Sequence, residues 1–281
     1  MRGLPSATAL VVAFARAVTT DPTTGGPLDP IAPDLLPRGV SAFARRLGRD
    51  AARGGLGSRG VAAASLGLVD HLRFRTWAID REIERAVAAG ARQLVILGAG
   101  ADARAHRMAA LDAVPVFEVD HPATQALKQK KLGRRAGRTR FVAVDFERDD
   151  LAEELAGAGH DPALPTAWIW EGVTEYLTEA AVDATLAVVA ARSATGSVVA
   201  LTYGTPELAS FGRVLHPLVA PAFAVLGEPL RGLMRPSDAR RAIERAGLSV
   251  ASDTDVEDWS RDAGARSPRL TIAERLLVAV K

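Results

Sequence analysis

The sequence predicts an α/β protein whose core is a parallel sheet covered by helices on both faces. Two observations carry this. From residue 92 onward short apolar runs recur at "LVIL" (94–97), "PVFEV" (115–119), "RFVAV" (140–144), "AWIW" (167–170), "SVVALTY" (197–203) and "RLLVAV" (275–280). Between them lie helix-like stretches: "ADARAHRMAAL", "HPATQALKQKKL", an acidic stretch around 151–158 and "TEAAVDATLAVVAARSA". Buried strands of this length alternating with helices are the pattern of parallel sheets.

Each part of the chain has its reason. Residues 1–90 read as a helical cap around a proline- and glycine-rich connector, "DPTTGGPLDPIAPDLLP" (21–37), whose breakers make it a loop. "ATALVVAFARAV" is apolar enough to suggest a leader, but Arg16 interrupts it and no cleavage site follows, so a buried amphipathic helix is expected. Residues 91–204 hold the first five strands. The segment 205–234 is too apolar for an exposed loop and is expected to form helices over the site, a lid spanning 205–236. Residues 237–281 supply a last helix and strands. All 281 residues are read as one domain.

Composition excludes several classes. The chain has no cysteine, so disulfides and thiolate metal sites are ruled out. No apolar run approaches the ~20 residues of a membrane helix, and a cytoplasmic location is the default expectation. His71, His106, His121, His160 and His216 show no metal-ligand spacing, and His121 before Pro122 reads as a turn residue. Residues 1–140 hold 22 basic and 12 acidic side chains, against 13 and 21 in the remainder. The densest basic run, "KQKKLGRRAGRTR" (128–140), has no aromatic residue for stacking on bases, so it reads as a solvated helix and loop or a basic rim, with no nucleic-acid partner.

The ends of the runs carry the chemistry. In open α/β sheets, ligands bind beyond the carboxyl ends of the strands. After the first run come Gly98 and Gly100, which permit tight turns, although a dinucleotide fingerprint wants a third glycine where Ala103 stands. The second run ends on Glu118 and Asp120, and a carboxylate there suits a ribose in either NAD or S-adenosylmethionine. The third ends on Asp145, able to accept from an adenine amino group while Phe146 lies against the ring; Glu171 and Gly172 follow the fourth. Such acidic tips suit a cationic cofactor better than a pyrophosphate.

Together "RTWAID", "LVILGAGADARAHRM", "VFEVDHPATQALKQKKL", "FVAVDF" and "WIWEGVTEYLT" resemble the leucine carboxyl methyltransferase family. The likeness is to its actinobacterial branch of S-adenosylmethionine-dependent methyltransferases, which includes polyketide carboxylate O-methyltransferases. It runs in order from about Thr8 to Tyr203 and loosely through "GEPLRGLMRP"; "ATALVVAFARAVTTDP" is similar to the family's opening helix. The resemblance implies a Rossmann-like class I methyltransferase sheet with S-adenosyl-L-methionine as cofactor. It implies that Arg75 pairs with the cofactor's carboxylate, that the Gly98 and Gly100 loop passes its methionine part, and that Asp120 binds ribose. Asp145 and Phe146 would take the adenine, and Glu171 would lie near the cofactor. Arg16 occupies roughly the place of a basic residue in the family's first helix. Two departures are visible: Glu175 stands where an apolar residue is common, and 205–234 matches no substrate-specifying stretch.

The other candidates have plainer readings beside functional ones. Trp168 and Trp170 read as core, and Arg104 and Arg107 as solvated. Tyr203 is either a substrate contact or a core tyrosine, Glu175 an acceptor contact or a helix cap, and His216 an acceptor contact in the lid. Arg213, Arg231 and Arg235 are candidates for meeting an anionic acceptor. A carboxylic acid with a pKa of about 4 is ionised near neutrality and needs no base, unlike a phenol at about 10. The expectation is an O-methyltransferase acting on a small acid through alignment, with no catalytic residue as such. The competing classes are an NAD(P)-dependent oxidoreductase, though neither Tyr176 nor Tyr203 has a lysine four residues later, and a non-catalytic cofactor-binding regulator.

Overall fold

The structure is a computed structural model and describes residues 7–146, 148–208, 231–268 and 271–281. Five helices precede the sheet: α1 (Ala7–Val18), α2 (Ala32–Leu35), α3 (Arg38–Ala52), α4 (Leu56–Ala64) and α5 (Leu68–Ala88). Then come β1 (Gln93–Leu97), α6 (Arg104–Arg107), β2 (Val116–Asp120), α7 (Pro122–Leu132), β3 (Thr139–Ala143), α8 (Leu151–Gly157), β4 (Thr166–Trp170), α9 (Glu179–Ala191) and β5 (Val198–Gly204). The last described elements are α10 (Pro236–Arg245), β6 (Ser249–Asp255), α11 (Val256–Asp262) and β7 (Glu274–Val280).

The seven strands lie in the order β3-β2-β1-β4-β5-β7-β6. The first five are parallel, and β7 runs antiparallel between β5 and β6. All six apolar runs are strands. The seventh strand, β6, "SVASDTD", carries no apolar run; it lies at one edge of the sheet with every residue exposed or half-buried. Alternate residues of the inner strands feed two cores. Trp168 and Trp170, fully buried as read, face α8, α9 and α10 with Leu155, Leu186 and Ile243. Ile96 and Ile169 face Phe74, Ile79 and Ile83 of α5 and Trp259 of α11.

Local sequence sets the helix starts. Asp150 caps α8, Thr178 caps α9, and Asp255 with Asp258 forms a capping box at α11, each satisfying N–H groups that a helix start leaves unpaired. His121 caps α7, its Nδ1 accepting from Ala123 N at 3.2 Å. Three sequence readings change. The connector 21–37 is not wholly loop: Pro33 in the first turn opens the short α2 over 32–35. "ADARAHRMAAL" is helical only at 104–107, followed by a 3-10 turn at 109–111. Lys128, in the basic run read as solvated, is buried.

Among the described residues no helix is long and apolar enough to cross a membrane, and no group of three His, Cys, Asp or Glu is placed to hold a metal ion. Residues 209–230, with Arg213 and His216, are outside the described ones, as is most of the expected lid.

Candidate functional site

The site is built at the carboxyl ends of β1, β2, β3 and β4, with α1 and α5 against it. Gly98 has φ +66°, and a Cβ there would lie 2.4 Å from Val173 Cγ2, so only glycine fits. Gly100 donates its N–H to Asp120 Oδ2, and His121 N donates to Asp120 Oδ1 at 2.6 Å. These bonds tie the glycine loop to the tip of β2 and leave further acceptor lone pairs on the carboxylate. Burial raises the Asp120 carboxyl, while the Gly100 and His121 N–H groups oppose that shift. Asp145 and Phe146 follow β3, both half-buried, with Phe146 packed at the edge of the core.

Two acids of the strand tips point elsewhere than the rim. Glu118 is fully buried beside Lys128 Nζ, and Lys128 also reaches Ala99 O at 3.5 Å. Burial pushes its carboxyl up to about 7, with Lys128 pulling the other way. Of the two acids of β2, Asp120 alone lies beside the glycine loop. Glu171 is the centre of a guanidinium cluster. It accepts from Arg16 Nη2 at 2.8 Å on both oxygens, from Arg75 Nε at 3.0 Å and from Arg104 Nη1 at 2.6 Å. Burial alone would raise this carboxyl, but Arg104, Arg16 and Arg75 hold it well below the usual range.

Helix α5 delivers much of the cluster, because His71, Arg75, Thr76 and Asp80 recur at helical spacing. Thr76 Oγ1 accepts from Arg16 Nε at 3.1 Å, which fixes α1 against α5. Asp80 accepts from Arg104 Nε at 2.7 Å and Arg107 Nη2 at 2.8 Å, and Asp29 accepts from Arg107 Nε at 3.2 Å. Arg104 and Arg107 are therefore not solvated; both side chains are largely covered and pair with acids far away in sequence, Asp80 and Glu171 for Arg104 and Asp29 and Asp80 for Arg107. Asp102 pairs with Arg104 and lies 3.6 Å from Arg16 Nη1. Its burial is outweighed first by Arg104 and then by Arg16, which bring its carboxyl down to about 2.

Arg75 is also held from a direction that the sequence did not signal. Its Nη1 donates to Glu274 at 2.7 Å and 2.9 Å, and His71 Nε2 lies 2.7 Å from the same carboxylate. Glu274 begins β7, immediately before the last apolar run, with only its distance from position 75 to hide the pairing.

The acceptor-side candidates are dispersed. Tyr203 is fully buried, and its hydroxyl donates to Asp253 Oδ2 on β6 at 2.9 Å, so it braces the sheet edge and is a core tyrosine. Glu175 lies buried in the 3-10 turn after β4 and does not cap α9, which Thr178 does. Its carbonyl accepts from Arg231 N at 2.7 Å and Gly232 N at 3.0 Å, while its Oε2 is buried without a hydrogen-bond partner among the described residues. Burial, and then Glu274, pushes the Glu175 carboxyl up. The Arg231 and Arg235 side chains are exposed.

Strand order, the reversed β7 and a glycine loop tied to an acid on β2 define the class I methyltransferase fold. The chain belongs to the leucine carboxyl methyltransferase family, whose model matches residues 9–190. It is 46% identical over 136 residues to a Streptomyces coelicolor protein named as an inferred S-adenosyl-L-methionine-dependent methyltransferase, covering 47% of each chain. It is 39% identical over 203 residues to a protein of the same description from Mycobacterium avium, covering 68% of this chain and 63% of that one. The chain thus spans about half the length of the first of these relatives. A crystal structure of an inferred methyltransferase from Thermobifida fusca superposes with a TM-score of 0.59 at 16% identity, covering 80% of this chain and 88% of that one.

Proposed function

We propose that the protein is an S-adenosyl-L-methionine-dependent O-methyltransferase that esterifies the carboxylate of a small natural-product acid. The observation that carries the cofactor reading is the fit of the strand tips. Gly98 and Gly100 make the tight turn after β1 at positive φ, Asp120 keeps lone pairs for ribose hydroxyls, and Arg75 has Nη2 still to be used beside Gly172. Family membership and the names of the relatives support the same reading.

When bound, the cofactor supplies a methyl group activated on a sulfonium. The chain's own task is to bind and orient. Arg75 would hold the cofactor's carboxylate, Asp120 its ribose, Asp145 and Phe146 its adenine, with Glu171 neutralising the surrounding guanidinium groups. A carboxylate acceptor is already ionised at neutral pH, at a pKa of about 4, and asks only for alignment. Arg231 and Arg235, at the end of the expected lid, would meet such an anion, and Glu175 would contact the acceptor.

Calorimetric titration with S-adenosylhomocysteine, NAD and NADP tests the cofactor. Binding of the first alone is expected, and binding of a nicotinamide dinucleotide alone would overturn the reading. Mass spectrometry of a panel of small acids and phenols with labelled cofactor tests the acceptor. Transfer to phenols and not to acids would replace the ester with an ether.

A further inference from the structure

The Arg75 guanidinium has five N–H groups to place in a dry setting. Nε is committed to Glu171 at 3.0 Å, and Nη1 to both oxygens of Glu274 at 2.7 Å and 2.9 Å. Nη2 has no partner among the described residues. It lies 3.7 Å, and Nη1 3.8 Å, from where a Cβ would stand on Gly172, a position of φ +66° that a side chain would occupy badly. The two terminal nitrogens of the guanidinium thus face the glycine after β4, Nη1 spent on Glu274 and Nη2 still to be used.

We infer that Glu274 is a positioning residue for the cofactor's carboxylate, acting through Arg75: it holds Nη1 so that Nη2 stays directed at Gly172. This rests on the cofactor reading proposed above. A guanidinium prefers two parallel bonds to one carboxylate. Without Glu274, Arg75 would tip onto Glu171 and spend Nε and Nη2 together on it, withdrawing the edge that an incoming carboxylate needs. Glu274 is itself fixed from behind by His71, which is fully buried and 2.7 Å away. The two arrive from distant parts of the chain, so the final strand sets the aim of a helix residue at position 75.

Charge alone predicts the opposite. Removing Glu274 leaves Arg75 less neutralised, which would favour an anionic ligand. The two effects separate with a pair of nucleosides. S-adenosylhomocysteine carries the amino-acid carboxylate; 5′-methylthioadenosine keeps the adenosine and sulfur but lacks it. Dissociation constants for both are measured calorimetrically on wild type, Glu274→Gln and Glu274→Asp, with circular dichroism confirming the fold. Glu274→Gln is expected to weaken S-adenosylhomocysteine about tenfold or more, as for a lost charged partner, and to leave methylthioadenosine within about twofold. Glu274→Asp keeps the charge but draws it back by one methylene; it is expected to show the same selective loss to a smaller degree, and serves if the Gln variant does not fold. Equal weakening of both nucleosides would make Glu274 a general structural residue. Unchanged affinity or a gain for S-adenosylhomocysteine would show that alignment is not its role. Any of these overturns the inference while leaving the cofactor reading intact; failure of wild type to bind either nucleoside overturns both.

Discussion

Substituting Glu171 by Gln keeps the side chain's shape and removes the one charge on which three guanidinium groups converge. The cost follows from what each arginine retains. Arg104 keeps Asp80 at 2.7 Å as well as Asp102, and Arg75 keeps Glu274 at 2.7 Å. Arg16 keeps only Asp102 at 3.6 Å and the neutral Thr76 hydroxyl. Breaking a buried pair by neutralising one partner costs about 3–5 kcal/mol. Because two of the three cations are still matched, the lower end, about 3 kcal/mol, is expected. Most of it should fall on Arg16 and therefore on the docking of α1. Urea unfolding monitored by circular dichroism gives the global cost, and hydrogen exchange over residues 7–18 locates it. A cycle with Arg16→Met isolates the pair, with an expected coupling of about 2 kcal/mol, within the range for residues sharing one network. A Glu171→Gln variant within about 0.5 kcal/mol of wild type, or additive behaviour in the cycle, would show that the cluster is not the fastener described here.

Three other outcomes are expected. Gly98→Ala should cost about 1–3 kcal/mol through its positive φ, and adding Val173→Ala should recover only the part due to the 2.4 Å approach to Val173 Cγ2, as read from thermal melts. Burial, and then Arg192, lowers the buried His160 from 6.5 to about 4. Between those values the unfolded chain takes up a proton that the native protein refuses, so stability present above pH 6.5 is lost as pH falls toward 4. The loss is about 3 kcal/mol at 1.36 kcal/mol per pKa unit, and His160→Asn should flatten it in urea titrations at neutral and acid pH. Tyr203→Phe removes the bond to Asp253 and should lower stability by about 1–2 kcal/mol with no change in S-adenosylhomocysteine affinity; a large affinity loss would return this tyrosine to the ligand site.

The parts of the fold that sequence reveals are those where a local pattern is also the physical cause. Five of the six strands with apolar runs are largely buried, β3 at the other edge being the exception, and Trp168 and Trp170 read as core for the same reason. Strand β6 escapes notice because its stability comes from pairing with β7 and its residues need not be apolar at an edge. At the site, Gly98, Gly100 and Asp120 announce themselves by type and by their place after a strand. The ion pairs do not. Arg104 and Arg107 look like ordinary surface arginines within their own helix, since Asp80 and Glu171 are supplied by other elements. Glu274 is invisible for the same reason, being joined to Arg75 only through the sheet.

The insertion of β7 between β5 and β6 has a consequence for biosynthesis. The slot between β5 and β6, one strand in from the sheet edge, is filled by a strand that the ribosome makes after both of its neighbours, and its first residue is Glu274. A growing polypeptide that has already made the glycine loop, Asp120 and Glu171 still presents Arg75 without one of its two carboxylates. Completion of the Arg75 cluster is therefore deferred until β7 threads into its slot, and chains stalled before that point would leave Arg75 with Glu171 alone.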